Sequence, residues 1–245
     1  MPALLAMLLV SVLSLLAGYY FAQQQAFTGK VAFYQQSLTT MYQRQAGNLP
    51  AGAVLFFGDS HIQGLAVTAV SPKAVNFGIG HQQLRQLAST LAGYPLLNQA
   101  NKIVIGVGIN DLLQQRTDVA ADVAAALVQL FKTLQCCRHK VWLLGLLPVN
   151  EIRLKRPGLN QQVLAFNEQL RQAAADAGVK LIELYPIFAD PQGQLANRFD
   201  LADGLHLNQQ GYQLLTQQIT RSLPQPPPPW HEEQRTLKKR DADET

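Results

Sequence analysis

Residues 53–61 read Ala-Val-Leu-Phe-Phe-Gly-Asp-Ser-His, a short apolar run that ends in a polar turn. The run is apolar throughout rather than alternating, which is typical of a strand buried on both faces of a parallel sheet. Polar side chains that directly follow such a strand lie at its carboxyl end, where open α/β sheets bind their ligands. This stretch therefore predicts an α/β fold with a functional site beside Ser60.

Further apolar runs repeat this pattern along the chain. The predicted strands are residues 53–57, 74–77, 103–107, 141–147 and 181–184. Apolar residues at helical spacing separate the runs, for example Val119, Val123 and Leu127, with Asp118 as a predicted N-cap. Repeated β-α units imply a parallel sheet with helices on both faces. We predict one α/β domain over residues 53–223 with a five-stranded parallel sheet.

Composition sets limits on the class of protein. With 245 residues and 48% hydrophobic content, the chain can bury the core of one α/β domain. The formal net charge of +4 is small and scattered, so it does not indicate a nucleic-acid partner. Cys136 and Cys137 are adjacent, which does not predict a disulfide framework.

The chain begins with an apolar segment. Residues 3–22 carry no charge and could cross a bilayer core of about 30 Å as a helix. No Lys or Arg precedes the run and no small-x-small cleavage site ends it, which favours an anchor over a cleaved signal peptide. A buried core helix is a third interpretation. Lys30 and Arg44 follow the span, and the positive-inside rule then favours a cytoplasmic domain.

Two other segments lie outside the predicted domain. Residues 26–52 are predicted as a connecting helix, with Val31, Tyr34 and Leu38 at helical spacing, followed by a linker. Residues 224–245 contain a proline run and then a charged, apolar-poor end, which predicts a disordered tail. The predicted order is thus an anchor or signal segment over 1–25, a connector, the domain and the tail.

The polar clusters at the predicted strand ends contain the groups that acyl transfer needs. A Ser60 hydroxyl requires a neighbouring base, which His206 can supply, and Asp203 can orient that imidazole. The developing oxyanion requires pre-aimed donors. The candidate donors are the backbone N–H groups of Ser60 and Gly78 and the side-chain amide of Asn110.

These clusters resemble, in order, the four blocks of the SGNH hydrolases, the GDSL-type esterases and acylhydrolases. The matching residues are Gly58-Asp-Ser60, Gly78, Gly108-x-Asn110 and Asp203-x-x-His206. The resemblance implies a flavodoxin-like three-layer α/β/α fold. It also implies a catalytic set of Ser60, Asp203 and His206, an oxyanion hole of Ser60, Gly78 and Asn110, and no metal or cofactor. His61 and His81 depart from the usual residues of the family.

Several residues near these blocks have competing interpretations. Asp59 could be mistaken for the triad acid, but we expect it to have a structural role in the turn. His61 and His81 are predicted at the rim of the site. A solvated loop is favoured over an anion-binding role for the basic residues Arg153, Lys155 and Arg156. Packing is favoured over an acyl pocket for Phe188, Leu195 and Phe199.

The sequence therefore predicts a serine ester hydrolase that forms an acyl-enzyme. The expected substrate is a lipid or acyl ester, or an O-acetyl group on a glycan. Two alternatives stay open: an acyl or acetyl transferase that uses the same triad, and a catalytically silent binding domain of the same fold. The α/β-hydrolase motif Gly-x-Ser-x-Gly is absent around Ser60. The expected location is membrane-anchored or exported; the family resemblance favours the extracytoplasmic side, and the oligomeric state is open.

Overall fold

The computed structural model describes the backbone of residues 2–114 and 119–223, and the side chains of residues 7, 9–114 and 121–223. The strands are β1 (Val54–Gly58), β2 (Ala74–Gly78), β3 (Lys102–Gly106), β4 (Val141–Leu144) and β5 (Lys180–Ile182). They pair in parallel in the order β2-β1-β3-β4-β5. The predicted five-stranded parallel sheet is confirmed.

Strand β4 ends three residues earlier than the apolar run predicts. The N–H of Leu146 donates to the side-chain oxygen of Asn167 at 2.7 Å instead of to a neighbouring strand. Asn167 returns a hydrogen bond to the Leu146 carbonyl at 3.0 Å. An asparagine side chain thus satisfies the backbone where the strand would have continued, although the residues remain buried.

Helices cover both faces of the sheet. Their bounds are α1 (Pro2–Ala46), α2 (Ser60–Gln63), α3 (Leu84–Thr90), α4 (Ile109–Leu113), α5 (Val119–Thr133), α6 (Glu151–Leu154), α7 (Leu159–Ala177), α8 (Tyr185–Phe188) and α9 (Gln209–Ser222). Alternate strand residues point to opposite faces. Leu55 and Phe57 accordingly pack in one core with α3, α5 and α7, while Val54 and Phe56 pack in a second core with α9. The structure is a three-layer α/β/α sandwich.

The strand order determines where a site can form. Strand β1 lies between β2 and β3, so the chain leaves β1 toward one side of the sheet and later returns on the other side. Open sheets bind ligands at such a switch point, outside the carboxyl ends of the strands. Gly58 of β1 pairs with Gly106 of β3 at this end. The segments that follow these two glycines carry Ser60 and Asn110.

Helix α1 continues without a break across residue 25, where the predicted first boundary lies. Its first part exposes large apolar side chains, whereas Ala46 at its end is buried. In the part of the chain that the structure describes, no helix is both long enough and apolar enough to span a membrane. This finding gives no support to the anchor predicted over residues 3–22, several of whose side chains lie outside that part.

Two other predictions fall outside the described residues: the N-cap at Asp118 and the disordered tail over residues 224–245. The prediction for Phe188, Leu195 and Phe199 can be compared with the structure. All three side chains are buried in the core beneath α9. Their predicted role in packing is confirmed.

Candidate active site

Ser60 is the first residue of α2 and follows directly on the carboxyl end of β1. The Asp59 carboxylate accepts a hydrogen bond from the His61 N–H at 3.0 Å and caps this short helix. Gly58 is required before the turn, because a Cβ there would lie 1.9 Å from the Gly106 carbonyl oxygen. Ser60 therefore lies at the crevice between β1 and β3, and Asp59 has the structural role expected of it.

The Ser60 hydroxyl lies at one end of a chain of hydrogen bonds. Ser60 Oγ is 3.0 Å from His206 Nε2, and His206 Nδ1 is 2.6 Å from Asp203 Oδ2. The other Asp203 oxygen accepts the backbone N–H groups of His206 at 2.8 Å and Leu205 at 2.9 Å. Burial opposes ionisation of Asp203, but these hydrogen bonds prevail and hold its pKa below the ordinary value. The structure thus brings the three predicted catalytic residues together, with Asp203 as a carboxylate.

A second aspartate shapes the loop that carries Asp203 and His206. The buried Asp200 accepts the N–H groups of Ala202 at 2.9 Å and Gly204 at 3.0 Å. Its other oxygen lies 3.2 Å from Arg153 Nε. The Asp200 carboxylate therefore fixes the backbone of this loop before the chain enters α9. Sequence reasoning did not identify Asp200, because an aspartate in a loop has no distinctive spacing.

His61 does not lie at the rim, where the sequence analysis expected it. Only 13% of its side chain is exposed, and its ring centroid is 5.7 Å from that of His206. His61 Nε2 lies 3.0 Å from the Leu205 carbonyl oxygen, and Nδ1 lies 3.5 Å from Asp59 Oδ1. Burial lowers the pKa of His61, but the hydrogen bond and charge of Asp59, the Leu205 carbonyl and the charge of Asp203 together outweigh burial and raise it.

Gly78, predicted as an oxyanion donor, is engaged elsewhere. Its N–H donates to Asn76 Oδ1 at 2.9 Å. A Cβ on Gly78 would lie 2.3 Å from the backbone nitrogen of Gln63, so this glycine allows β2 to pack closely against α2. The geometry does not support Gly78 as an oxyanion donor. Its single N–H cannot donate with good geometry both to Asn76 Oδ1 and to an oxyanion.

His81 lies three residues further along, and its backbone N–H differs from those of its neighbours. The neighbouring N–H groups are occupied: Ile79 donates to Gly58, Gly80 to Gln63 and Gln82 to Ile79. Within the described residues, the His81 N–H has no acceptor. The backbone of His81 is left-handed, with φ +60°, which turns it away from the strand direction. His81 and Ser60 line the same pocket.

Asn110 faces that pocket from the start of α4. Its amide nitrogen donates one hydrogen bond to the Gln82 carbonyl at 3.1 Å, which fixes the side chain and leaves a second N–H. The neighbouring Asp111 accepts the N–H of Leu84 at 2.9 Å, at the start of α3. Burial raises the pKa of Asp111 to about 6, despite the opposing effect of its backbone hydrogen bonds.

The pocket above Ser60 is open and has a volume of about 450 Å³. Its floor holds Ser60, His206 and Asn110. The remaining walls combine polar and apolar side chains: Lys30, Val31, Tyr34, Gln63, His81, Leu113 and Leu205, with Gly80. This space can admit a small ester, and both Ser60 and His206 are accessible from it.

Two of the three basic residues after β4, Arg153 and Arg156, contact other residues of the protein. Arg153 pairs with Asp200, and Arg156 donates to the carbonyls of Leu113 at 3.1 Å and Leu112 at 3.4 Å. Neither lines the pocket, nor does Lys155. Among the residues that the structure describes, no group of three His, Cys, Asp or Glu side chains could hold a metal ion.

The sequence of this chain matches known proteins over the region that contains the site. The sequence profile of the GDSL-like Lipase/Acylhydrolase family matches residues 56–214. The platelet-activating factor acetylhydrolase IB subunit alpha2 of Rattus norvegicus is 34% identical over 167 residues, which cover 65% of this chain and 70% of that protein. The Homo sapiens protein of the same name matches with the same identity and coverage.

Solved structures share the fold at lower identity. A Streptococcus pneumonia protein whose name refers to platelet activating factor has a TM-score of 0.69 and 24% identity, over 80% of this chain and 96% of that chain. The lipase/acylhydrolase from Enterococcus faecalis has a TM-score of 0.60 and 23% identity, over 69% and 94% of the two chains. A GDSL-like lipase from Bacteroides thetaiotaomicron has a TM-score of 0.62 and 17% identity, over 76% and 98%.

Proposed function

This chain belongs to the GDSL-like lipase/acylhydrolase family and is a hydrolase that acts on esters, and from that premise we propose that it cleaves carboxylic esters through an acyl-enzyme on Ser60. One observation carries the proposal. The Ser60 hydroxyl, the His206 imidazole and the Asp203 carboxylate form an unbroken hydrogen-bonded chain that faces an open pocket. This is the arrangement that activates a serine for attack on a carbonyl carbon.

In the proposed first step, Ser60 Oγ attacks the ester carbonyl while His206 Nε2 accepts the hydroxyl proton. Asp203 stabilises the imidazolium that forms, and its lowered pKa keeps it charged for this role. When the tetrahedral intermediate collapses, His206 returns the proton to the leaving alkoxide. Water then attacks the Ser60 ester by the same route, with His206 again as the base, and releases the acid.

We assign the oxyanion to three donors whose residues line the same pocket. Ser60 and Asn110 are retained from the sequence analysis, and the backbone N–H of His81 replaces that of Gly78. The replacement is supported by the hydrogen bond that occupies Gly78 and by the free N–H of His81 beside Ser60. Donors fixed before the reaction stabilise developing negative charge without a cost of reorganisation.

The acyl group of the proposed substrate is short, such as acetyl. The names of the rat and human relatives refer to an acetylhydrolase, and 34% identity over the region that contains the site supports a related acyl group. The alcohol of the proposed substrate occupies the part of the pocket that faces His206, because that residue must protonate the leaving oxygen.

The test uses para-nitrophenyl acetate and a labelled fluorophosphonate. We expect hydrolysis by the wild-type protein and covalent labelling of Ser60, and loss of both in Ser60→Ala. Ser89→Ala is the matched control, because Ser89 is an exposed helical serine that bonds only to a neighbouring carbonyl. Label on Ser60→Ala, or full turnover by that variant, would refute the acyl-enzyme. Product analysis with added alcohols separates hydrolysis from acyl transfer.

A further inference from the structure

One wall of the catalytic pocket comes from helix α1, which lies outside the part of the chain that matches the family. Lys30, Val31 and Tyr34 line the pocket together with Ser60 and His206. The family profile begins at residue 56, so these side chains lie outside the part of the chain that it describes. They are therefore candidates for determining which ester this particular protein prefers.

The position of α1 beside the pocket follows from its sequence. Val31, Gln35, Leu38 and Tyr42 recur at helical spacing and form the partly buried side of the helix. Hydrogen bonds then fix this side: Gln35 donates to the Gly80 carbonyl at 3.1 Å. The Tyr34 hydroxyl accepts the side-chain amide of Gln63 at 2.6 Å. Gly80 adjoins His81 and Gln63 belongs to α2, so α1 is held in a defined position relative to the nucleophile.

Lys30 differs in charge from the other wall residues. Among the described residues that line the pocket, it is the only Lys, Arg, Asp or Glu. Within the same part of the chain, its ammonium has no carboxylate or hydrogen-bond partner. The other cations at this edge are already used, since Arg153 pairs with Asp200 and Arg156 bonds to Leu113. The catalytic carboxylate of Asp203 is likewise occupied by His206.

We propose that Lys30 binds an anionic group of the substrate, so that the preferred substrates are esters with a carboxylate, phosphate or sulfate close to the scissile bond. The inference rests on the proposed ester hydrolysis. A cation in a cleft with low-dielectric walls raises the local concentration of anions and favours them once bound. The pocket offers the anion no competing carboxylate, and Tyr34 and Gln63 provide further polar contacts beside Lys30.

The experiment compares charged and neutral esters that share a reacting bond. In one arm the charge is on the alcohol: para-acetoxybenzoate against its neutral methyl ester. In the other arm it is on a short acyl chain: para-nitrophenyl 3-sulfopropanoate against para-nitrophenyl butanoate. The quantity measured is the ratio of kcat/KM for the charged ester to that for its neutral partner. The arm in which Lys30→Met lowers this ratio more identifies the side of the ester that carries the anion.

We expect Lys30→Met to lower this ratio by roughly fivefold in at least one arm, as for the loss of a partly exposed ion pair. Lys30→Glu should lower it further, and about 0.5 M salt should reduce the wild-type preference. Lys73→Met is the matched control, because Lys73 is exposed and directly precedes β2, at the amino end of the strands and therefore at the end of the sheet opposite to the pocket. That variant should keep the wild-type ratio.

The two levels of the proposal fail differently. If the wild-type protein hydrolyses the neutral esters and the ratio is the same in wild type, Lys30→Met and Lys30→Glu in both arms, the role of Lys30 is refuted while ester hydrolysis stands. If the wild-type protein hydrolyses none of the four esters and Ser60 takes no label, the proposed function fails and the role of Lys30 fails with it.

Discussion

The imidazole of His61 hydrogen-bonds to the main chain immediately before His206, the proposed base. Its Nε2 atom lies 3.0 Å from the carbonyl oxygen of Leu205, which precedes His206. A carbonyl only accepts, so Nε2 must carry a proton and donate it. The other ring nitrogen lies 3.5 Å from the buried carboxylate of Asp59. The turn after β1 and the loop that carries His206 are thus joined by the side chain that follows Ser60, the proposed nucleophile.

We predict that His61→Leu lowers kcat by about fivefold, the effect of about one lost hydrogen bond, with little change in KM. Without this bond the loop would hold His206 less firmly opposite Ser60. His61→Gln should retain more activity, because its amide N–H can still donate to the Leu205 carbonyl. The measurement is steady-state hydrolysis of para-nitrophenyl acetate by the two variants. Equal kcat values for Leu and Gln would mean that the hydrogen bond does not position the base.

Asn110→Ala should lose about 10²–10³ in kcat, because it removes one donor to the oxyanion. The effect should fall on kcat more than on KM, since the bond strengthens as the carbonyl becomes tetrahedral. Labelling of Ser60 should continue at a slower rate. Asn48→Ala is the control, because that exposed side chain bonds only to its own helix end. Near-normal kcat in a folded Asn110→Ala protein would remove this residue from the oxyanion hole.

His81 tests whether a backbone group or a side chain supplies the remaining donor. Its backbone has φ +60°, a conformation that glycine adopts freely and a β-branched residue adopts at a cost of roughly 1–3 kcal/mol. If the N–H is the donor, His81→Gly should have a kcat about tenfold above that of His81→Val, because the strained valine displaces the N–H. If both variants lose activity equally, the imidazole itself is the group that matters.

Asp111 should make stability depend on pH. Its pKa is about 6 in the folded protein, raised mainly by burial from an ordinary 3.8. The folded state therefore keeps this proton to a higher pH than the unfolded chain does. The free energy of unfolding consequently falls as the pH rises from 3.8 to about 6. Asn at this position cannot ionise, and its side-chain oxygen can still accept the Leu84 N–H.

We accordingly expect the free energy of unfolding of Asp111→Asn to be about 1–2 kcal/mol higher than that of the wild type at about pH 8. The difference should be smaller at about pH 5. Urea unfolding at both pH values measures the difference. Its growth with pH is the diagnostic feature, because a change in packing alone would give the same difference at both. A difference that shrinks as pH rises would show that the ionised carboxylate stabilises the fold.

Much of the site could be predicted because its chemistry is tied to strand ends. Ser60 follows an apolar run, and Asp203 and His206 are three residues apart, so the chain itself brings the base and its partner together. The oxyanion donor was harder to predict. The segment from Asn76 to His81 offers several backbone N–H groups, and sequence cannot say which of them already has an acceptor. Asn76 occupies the one at Gly78, and Gln63 occupies the one at Gly80.

The sequence by itself determined the sheet, its two buried faces and the end of the sheet at which the proposed active site lies. These follow from the length and period of apolar runs, which are local properties of the chain. Only the tertiary structure decided that His61 contacts Leu205, that the His81 N–H has no acceptor among the described residues and that Lys30 borders the pocket. Each depends on atoms from distant segments, because a hydrogen bond or a cavity wall exists only once folding has placed its other partner.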